Sequence, residues 1–424
     1  MQPPGPSGSL LWGSFKKFQM APLSFLTDSA EEYGDLVQFR FAHMKAYLVN
    51  NPSLIEEVLL VKADHFDKAT RSAGKIRATC GDSLLSAKHD TWERHRKLIQ
   101  PVFQPKFIAS MDGMIEEATH SLLHRWEDIA GQKKTIELVS EMTALVIEIS
   151  AKALFAADIS PEKLETALAV LLDDTWRRVQ SPIDLADISA FFHRQDFKQA
   201  LSEVDETVFD IIAKRHVDGI DHDDVLSRLL AMHDEDSETG LNDKELRDAV
   251  ITLLLAGHET TSSALSWAFY LLAMQPEKIP EDGNFENVFR ETLRLYPSIW
   301  IVERRVKEPT QIGDYTLAKG SSVLISPYVL HRNSGFWENP EQFNPDRFLQ
   351  SEVEKRPRNS YLPFGLGRHR CVGLHMASRI STNVLSLVHQ RFRLIPMLDK
   401  APVPDPGITL RHEQKINCQI ETLS

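Results

Sequence analysis

The longest helical pattern in the sequence runs from Asn242 to Gln275, and it limits the folds that are open to this chain. Asn242 and Glu245 have the spacing of a capping box, with Asn in place of the usual Ser or Thr, and Pro276 ends the pattern. About 33 residues at 1.5 Å each give a helix of about 50 Å, longer than a small domain is wide. Such a helix must cross the interior of a large fold. Polar residues interrupt its most apolar part, at 256–261.

Composition and charge exclude several classes of protein. The chain has 424 residues, of which 42% are hydrophobic and 25% charged, values typical of a globular protein and not of a disordered, collagenous or coiled-coil chain. The net charge is −12, from 48 Lys and Arg against 60 Asp and Glu, whereas nucleic-acid binding needs a basic face. We expect no nucleic-acid partner. We also expect a single domain over residues 1–424, because no repeat or linker divides the chain.

The sequence carries no sign of membrane insertion or export. Its longest clean apolar run covers residues 249–257, and nine residues cannot span a bilayer that needs about 20. Residues 1–15 lack the order of charge, apolar run and cleavage site that signal peptides have. The three cysteines are odd in number and widely scattered, which suits a reducing compartment. We therefore expect a cytoplasmic protein without a transmembrane anchor.

Periodicity gives a coarse map of the secondary structure. Helical patterns fill most of 110–275, and residues 39–49 read as strand. Short β-like pieces separated by turn residues occupy 302–326, and prolines crowd 327–363, which predicts a long irregular segment. Helices therefore dominate the chain, with short strands near both ends.

The sharpest chemical motif is the segment 364–373, which carries Cys371. Two glycines, Gly365 and Gly367, precede the cysteine, and the residues at 368–370 are Arg, His and Arg. Nearby positive charge lowers the pKa of a cysteine from about 8.5 and so favours the thiolate. Glycines allow backbone N–H groups to approach the sulfur closely. Taken alone, the segment is equally compatible with a buried structural thiol.

Three further patterns need to be explained together with the cysteine segment. Glu291 and Arg294 lie three residues apart and share a helix face, as do Trp92 and Arg96, four residues apart. Arg347 is flanked by proline and aromatic residues. In isolation, the Glu291–Arg294 pair would be an ordinary surface ion pair worth about 0.2–0.5 kcal/mol.

Together with the polar insert at 256–261, these motifs resemble the cytochrome P450 family of haem-thiolate monooxygenases. The resemblance covers the chain from Pro3 to about Thr409. It implies a mainly α fold with a small β lobe, in which haem b lies between the long central helix and the Cys371 loop. The β-rich portion would cover about 36–60 and 302–326 with the C-terminal strands. The α-rich portion would cover mainly 80–295 and 371–392.

The resemblance implies roles for the residues of the cysteine segment. Cys371 would be the axial ligand of the haem iron, and Phe364 would lie beside its sulfur. Gly365 and Gly367 would shape the loop around the cofactor. His369 stands where many members have Arg and would contact a haem propionate, with a charge that depends on pH.

The resemblance also implies further propionate contacts and a buried structural triad. Trp92 and Arg96 would form one contact with the propionates. Arg304 would form another, with Arg305 as the competitor that sequence does not separate from it. The triad would consist of Glu291, Arg294 and Arg347.

The resemblance also implies a catalytic role for the polar residues at 256–261 of the long helix. Ala256 and Thr260 lie on one helix face, so a small side chain leaves room for the macrocycle and a hydroxyl lies over the iron. Glu259 points about 100° aside, which suits a water-linked proton path better than direct contact. The alternative for Thr260 is a hydroxyl bonded only within the helix.

The implied reaction is the hydroxylation of an apolar molecule with O₂, the substrate being a fatty acid, terpenoid, carotenoid or steroid. The predicted cavity walls are apolar and come from residues 78–85, 171–176, 253, 256 and 297–302. A peroxide-driven haem-thiolate peroxygenase is a second possibility, although such members replace the acid–alcohol pair that Glu259 and Thr260 keep here. A haem gas sensor is a third, against which thiolate ligation argues.

Electrons would come from a separate ferredoxin or flavodoxin with its reductase, so that NAD(P)H acts only indirectly. We also expect the enzyme to be a monomer. Opposite charge would guide docking to a basic patch near the thiolate. The patch consists of Lys88, Arg94, Arg96, Lys97, Arg368 and Arg370. Only fourteen residues separate Pro276 from Glu291, so the helix usual there must be short or absent, as in a bacterial subgroup that resembles carotenoid hydroxylases.

Overall fold

The computed structural model of the chain describes residues 2–156, 161–181, 186–218, 224–234 and 240–423, with the backbone alone at 161–163, 186–194, 218 and 232–234. The helices are α1 (Phe15–Met20), α2 (Pro22–Tyr33), α3 (Pro52–Glu56), α4 (Arg71–Cys80), α5 (His89–Ile99), α6 (Pro105–Ser110), α7 (Asp112–Gly131), α8 (Leu138–Phe155), α9 (Pro161–Gln180), α10 (Ala186–Asp218), α11 (Val225–Asp234), α12 (Asp243–Met274), α13 (Glu286–Leu295), α14 (Pro327–Leu330), α15 (Gln350–Val353) and α16 (Leu374–His389).

Among the described residues, short strands form four small sheets, mostly from the first 70 residues and from residues 302–422. The strands are β1 (Leu36–Phe41), β2 (Met44–Val49), β3 (Phe66–Asp67), β4 (Thr135–Glu137), β5 (Val302–Val306), β6 (Thr310–Ile312), β7 (Tyr315–Leu317), β8 (Ser322–Ile325), β9 (Phe392–Pro396), β10 (Pro404–Pro406), β11 (Leu410–His412) and β12 (Asn417–Thr422). The largest sheet has the order β1-β2-β8-β5-β3, and the next has the order β4-β12-β9. The pairs β6-β7 and β10-β11 complete the set, so a mainly α fold with a small β portion is confirmed.

The long helix α12 forms as its sequence predicts. The Asn242 side chain accepts the backbone N–H of Glu245 at 3.0 Å, and the Glu245 carboxylate accepts that of Asn242 at 3.1 Å. This capping box satisfies two amides that the first turn would leave unpaired. The helix ends before Gln275 and packs against α8, α13 and α16. It therefore runs through the interior, as its length requires.

Two predictions about the N-terminal β portion are wrong in detail. Residues 39–49 belong to a hairpin of two strands, because Ala42 takes a left-handed backbone with φ of 52° and turns the chain. The continuous β portion also stops at Val49 and does not extend to 60, and only the two-residue strand β3 follows it in this part of the chain. Asn51 caps α3 by accepting the amide of Ser53 at 2.9 Å, and helical turns follow as far as Val61.

The predicted shortening after Pro276 is confirmed. Residues 276–278 form a single 3₁₀ turn, and the chain reaches α13 at Glu286 without a further helix. Among the described residues, no helix is both long enough and apolar enough to cross a membrane.

Candidate active site

A cavity of about 1130 Å³ lies between the middle of α12 and the segment that carries Cys371. Its walls are mostly apolar. Each predicted wall segment contributes to it, through residues 79–80, 84–85, 172, 175–176, 253, 256 and 298–302, and the other predicted positions do not line it. Trp176 and Trp300 meet edge to face with ring centroids 6.2 Å apart, and the indole N–H of Trp300 donates to the Gly407 carbonyl at 2.9 Å. This hydrogen bond satisfies the polar atom of Trp300, so the ring presents an apolar surface.

Backbone geometry fixes the segment before Cys371. The Cys371 amide donates to the Phe364 carbonyl at 2.9 Å, and Gly365 and Gly367 have φ of 73° and 72°. A side chain at Gly367 would bring its Cβ to 2.4 Å from the Leu59 carbonyl oxygen, so only glycine fits there. The glycines therefore turn and pack the loop.

The electrostatics of Cys371 differ from the sequence-based interpretation. The side chain has accessible surface because it lines the cavity, but protein surrounds it, and this burial raises its pKa. The backbone N–H groups of Gly373 and Leu374 and the charges of Arg96 and Arg370 lower the pKa without outweighing burial. The N–H groups near the sulfur thus follow the cysteine and do not come from the preceding glycines. In the protein alone the thiol is favoured, and metal coordination is what deprotonates such a group.

Positive side chains gather at one part of the cavity wall. Lys68, Arg96 and Arg304 all line the cavity, and none has a salt-bridge partner in the part of the chain that the structure describes. Burial, with repulsion from the two arginines, lowers the pKa of Lys68 to about 7. The Trp92 ring lies 4.0 Å from the His369 ring between centroids, within the same cluster.

His369 is a neutral member of this cluster in the protein alone. Burial, with the charges of Lys68, Arg304 and the neighbouring arginines, lowers its pKa to about 2. Its Nδ1 atom is buried without a hydrogen-bond partner. Of the three cationic or potentially cationic side chains at 368–370, the histidine is therefore uncharged in the protein alone. Only the two arginines carry charge, and Arg368 is paired with Asp64.

The structure separates the two adjacent arginines that the sequence left open. Arg304 is buried, lines the cavity and donates to the Glu303 carbonyl at 2.8 Å. Arg305 points away and binds Asp67 through two hydrogen bonds of 3.1 and 2.7 Å. Alternation along β5 explains the difference, because successive side chains of a strand face opposite sides. Of the two, Arg304 is the one that faces the cavity.

The polar insert of α12 presents Ala256 and Thr260 to the cavity. The Thr260 hydroxyl donates to the Ala256 carbonyl at 2.7 Å, and the Thr260 carbonyl accepts the Ser298 hydroxyl at 2.8 Å. The Thr260 hydroxyl therefore makes the hydrogen bond within the helix that a purely structural threonine would make, and Thr260 also lies in the cavity wall. A hydroxyl that donates to the helix keeps its lone pairs free to accept a hydrogen bond.

Glu259 also lines the cavity and faces an arginine from the C-terminal hairpin. Its Oε1 lies 3.7 Å from Nε of Arg411, which donates through Nη1 to Asp173 at 2.9 Å. Burial raises the pKa of Glu259, and Arg411 opposes that rise. Its Oε2 is buried, and the Thr409 hydroxyl lies near enough to lower the pKa, although no hydrogen bond of full geometry reaches this oxygen from the described residues. The carboxyl group is thus poised to hold or release a proton at the cavity wall.

Glu291, Arg294 and Arg347 come together as a buried ionic group. Glu291 and Arg294 are fully buried and share two hydrogen bonds, at 2.7 and 2.9 Å, while Arg347 Nε lies 3.4 Å from the same carboxylate. Arg294 also donates to the His331 carbonyl at 2.9 Å. The His331 ring in turn accepts the Leu362 amide at 2.8 Å, just before the cysteine segment. The group therefore supports the loop that carries Cys371.

Comparison with known proteins decides the family. The model of the cytochrome P450 family matches residues 3–279 and 285–419. The chain belongs to the cytochrome P450 family. Cyclooctatin synthase of Streptomyces melanosporofaciens is 32% identical over 96% of this chain and 92% of its own length. Cyclooctat-9-en-7-ol 5-monooxygenase of the same organism is 30% identical over 92% and 87%, and pentalenene oxygenase of Streptomyces avermitilis is 26% identical over 94% and 92%.

Membership confirms the predicted fold and makes the chain a cytochrome P450 monooxygenase, of a family whose members bind haem and generally take apolar substrates and electrons from redox partners. The residues present fit haem. Lys68, Arg96 and Arg304 line the cavity with no salt bridge to any acidic residue that the structure describes, and Nδ1 of His369 is unpaired there. This set matches the need of two propionates for charge and hydrogen bonds. Cys371 offers the sulfur to the same cavity.

Sequence reasoning missed three residues of this cytochrome P450. Lys68 is an isolated lysine without a motif, and Arg411 reaches Glu259 only through the fold of the C-terminal hairpin. His331 joins the buried triad to the cysteine segment through contacts distant in sequence. None of these residues has a local pattern that marks it.

Proposed function

We propose that this cytochrome P450 hydroxylates a cyclic terpenoid, with electrons from a separate ferredoxin or flavodoxin that its reductase reloads from NAD(P)H. The observation that carries the proposal is the apolar cavity of about 1130 Å³, which has Cys371 and Thr260 in its wall. The relatives named for pentalenene and for cyclooctat-9-en-7-ol, both cyclic terpenoids, favour this class over the fatty acids, carotenoids and steroids.

Haem would be held by Cys371 at the iron and by Lys68, Arg96, Arg304 and His369 at the propionates. Bound there, it supplies the activation of O₂ that allows one oxygen atom to enter a C–H bond. Charge-assisted hydrogen bonds from lysine and arginine to carboxylates are about twice as strong as neutral ones, so the cluster would fix the cofactor's orientation. Phe364 packs on Ala264, Phe289 and Leu293 and keeps water from the sulfur side.

The apolar walls would bind and orient the substrate. Residues 84–85, Trp176 and Trp300 offer aliphatic and aromatic surface, which gains about 25 cal/mol for each Å² removed from water. Polar contacts are few on these walls. The cavity shape therefore selects which C–H bond faces the reaction centre, as rigid cyclic substrates require.

Thr260 and Glu259 would manage protons. The Thr260 hydroxyl, with its own proton directed to the Ala256 carbonyl, can accept a hydrogen bond from a water molecule in the cavity. The carboxyl group of Glu259, whose pKa is raised by burial, would carry the proton. The Arg411 side chain would hold this carboxyl group in position. The intact acid–alcohol pair disfavours the peroxide-driven alternative, and thiolate ligation disfavours a gas sensor.

The electron donor would dock on a smaller basic patch than the sequence indicated. Arg94 is paired with Glu245 and Arg368 with Asp64, while Arg96 faces the cavity. The exposed cations that stay in the patch are Lys88, Lys97 and Arg370. An acidic ferredoxin or flavodoxin complements this charge. A cytoplasmic, monomeric enzyme stays our prediction.

A ligand titration tests the substrate class. The haem-loaded protein is titrated with a cyclic sesquiterpene hydrocarbon and with dodecanoic acid, and the shift in the haem spin-state spectrum is followed. We expect saturable binding and an oxygenated product with the terpenoid, and binding at least about tenfold weaker with the fatty acid. Tighter binding of dodecanoic acid, with hydroxylation of it, would reverse the assignment.

A further inference from the structure

Asp248 is a buried carboxylate of α12 that the proposed mechanism does not use. It lies two turns before Ala256, and only 1% of its surface is exposed. Its Oδ2 accepts the backbone N–H of Asp82 at 3.0 Å and Nζ of Lys244 at 2.7 Å. Its Oδ1 accepts Nη1 of Arg247 at 2.8 Å. Two cations and one backbone amide therefore fix this carboxylate.

The turn formed by residues 81–86 packs directly on Asp248. Gly81 has φ of 62°, and a Cβ added there would lie 2.0 Å from Oδ2 of Asp248. Any side chain at this position must therefore displace the turn or the carboxylate. Within the turn, the Ser86 hydroxyl donates to the Gly81 carbonyl, and Arg77 donates to the Ser86 carbonyl at 2.7 Å. The turn is compact and rests on α12 at one point.

The 81–86 turn is also a wall of the substrate cavity. Leu84 and Leu85 line the cavity, as does Cys80 immediately before the turn. Nζ of Lys68 donates to the Leu84 carbonyl at 3.1 Å, so a second point of the turn is held from the propionate-facing cluster. Arg77 of α4 holds the turn as well, through the Ser86 carbonyl and through a salt bridge to Asp82 at 2.9 Å. Of these three anchors, Asp248 is the one that belongs to the central helix.

The position of Asp248 is itself fixed by a contact between Arg247 and α10. Nε of Arg247 donates to Asp205 of α10 at 2.7 Å while its Nη1 binds Asp248. The side chain of Arg247 is largely buried, which leaves it little freedom to move. A single ionic network thus joins α10, the first turns of α12 and the cavity wall.

We propose that Asp248 is a positioning residue that fixes the 81–86 turn and so sets the size selectivity of the substrate cavity. The carboxylate supplies what no apolar residue at this position supplies, an acceptor for the Asp82 amide held rigid by two cations. Loss of the acceptor frees the turn, and Leu84 and Leu85 then yield to larger ligands. The selectivity part rests on the proposed function, whereas the fixing of the turn does not.

Hydrogen exchange on the full haem-loaded chain tests the fixing of the turn. In Asp248→Ala, we expect the amides of residues 82–86 to exchange at least about tenfold faster, the factor expected for loss of a hydrogen bond to a charged group. Gly81→Ala should give the same faster exchange, because the added Cβ pushes the turn away from Asp248 while the sequence of α12 is unchanged. Asp243→Asn is the matched control, since Asp243 is an exposed acid of the same helix. A change confined to residues 80–87 distinguishes positioning from general destabilisation.

A size-selectivity titration completes the test without any assumption about the natural substrate. The affinity for 4-phenylimidazole relative to that for imidazole, read from the haem spectrum, should rise at least about threefold in both variants and stay constant in the control. A fall in this relative affinity would contradict a wall that yields to larger ligands. Unchanged exchange at 82–86 in folded Asp248→Ala or Gly81→Ala protein overturns the proposal, as does faster exchange over the whole chain. If Asp248→Ala does not fold, Gly81→Ala alone decides. A chain that binds no haem refutes the proposed function, and hydrogen exchange measured on the full haem-free chain then decides the role of Asp248.

Discussion

Single residues around the cavity divide into those that a local pattern reveals and those that it does not. Cys371 and Thr260 stand in short motifs whose spacing is typical of their chemistry, so the sequence alone proposes them. Lys68 and Arg411 meet the site through contacts between distant segments, and no local spacing marks either residue. Burial also changes charge states in ways that a sequence does not reveal, as the neutral ring of His369 illustrates.

Replacement of Thr260 tests its role at the residue scale. Thr260→Ala removes an acceptor from the cavity wall and leaves the haem contacts intact, so haem content should stay normal. We expect product formed per NAD(P)H consumed to fall at least about tenfold, with the missing electrons recovered as hydrogen peroxide. Thr260→Ser retains the hydroxyl and should restore most of the yield. An unchanged yield in the alanine variant would leave Thr260 as a plain helix residue.

The secondary-structure elements were predictable where their signals are local. The capping box defines the start of α12, and Pro276 marks its end, so the structure reproduces both. The β1–β2 hairpin was missed because Ala42 makes its turn without the Gly or Asn that usually signals one. The 81–86 turn is fixed by Asp248 and Lys68, both remote in sequence, which explains why periodicity gave no account of it.

The buried ionic group on α13 gives a test at the element scale. Glu291→Gln removes the charge that balances Arg294 and Arg347, and breaking a buried pair in this way costs about 3–5 kcal/mol. We expect the free energy of unfolding in guanidinium to fall by that amount and haem content to fall with it. Glu286→Gln, an exposed change on the same helix, is the control and should have no effect beyond about 0.5 kcal/mol.

At the scale of the whole molecule, buried neutral histidines make the fold sensitive to acid. His389 of α16 stacks on Phe269, with ring centroids 5.4 Å apart, and burial lowers its pKa to about 4. The ordinary value near 6.5 applies to the unfolded chain, so the unfolded state takes up its proton first as the pH falls. The stability that the neutral ring contributes is therefore present above pH 6.5 and is lost between pH 6.5 and 4.

We predict that the midpoint of guanidinium unfolding falls steeply below pH 6.5, and that His389→Gln makes this fall shallower. At pH 5, one histidine of this kind accounts for about 2 kcal/mol, from 1.36 kcal/mol per pH unit. Exposed His43 provides the control variant, His43→Gln, which should keep the slope of the wild type. Equal slopes for the wild type and His389→Gln would contradict the assignment.

Charge distribution over the whole molecule predicts how electrons are delivered. The chain is acidic overall, with a net charge of −12, whereas Lys88, Lys97 and Arg370 are exposed. Lys88 and Lys97 belong to the two ends of α5, whose Arg96 donates to the Arg370 carbonyl of the cysteine segment at 2.7 Å. Reduction by an acidic ferredoxin should slow about tenfold from low to high ionic strength. The double variant Lys88→Gln and Lys97→Gln should lose most of this dependence, and Lys16→Gln with Lys17→Gln should retain it. A reduction rate of the wild type that does not depend on salt would contradict docking through these cations.

The most direct test of the account is the carbon monoxide difference spectrum of the reduced, haem-loaded protein. Coordination by the sulfur of Cys371 predicts the long-wavelength Soret band of a thiolate complex, and Cys371→His should move that band to the position of an imidazole complex. An imidazole-type band in the native wild-type protein, or a protein that stays colourless with haemin, would contradict the account.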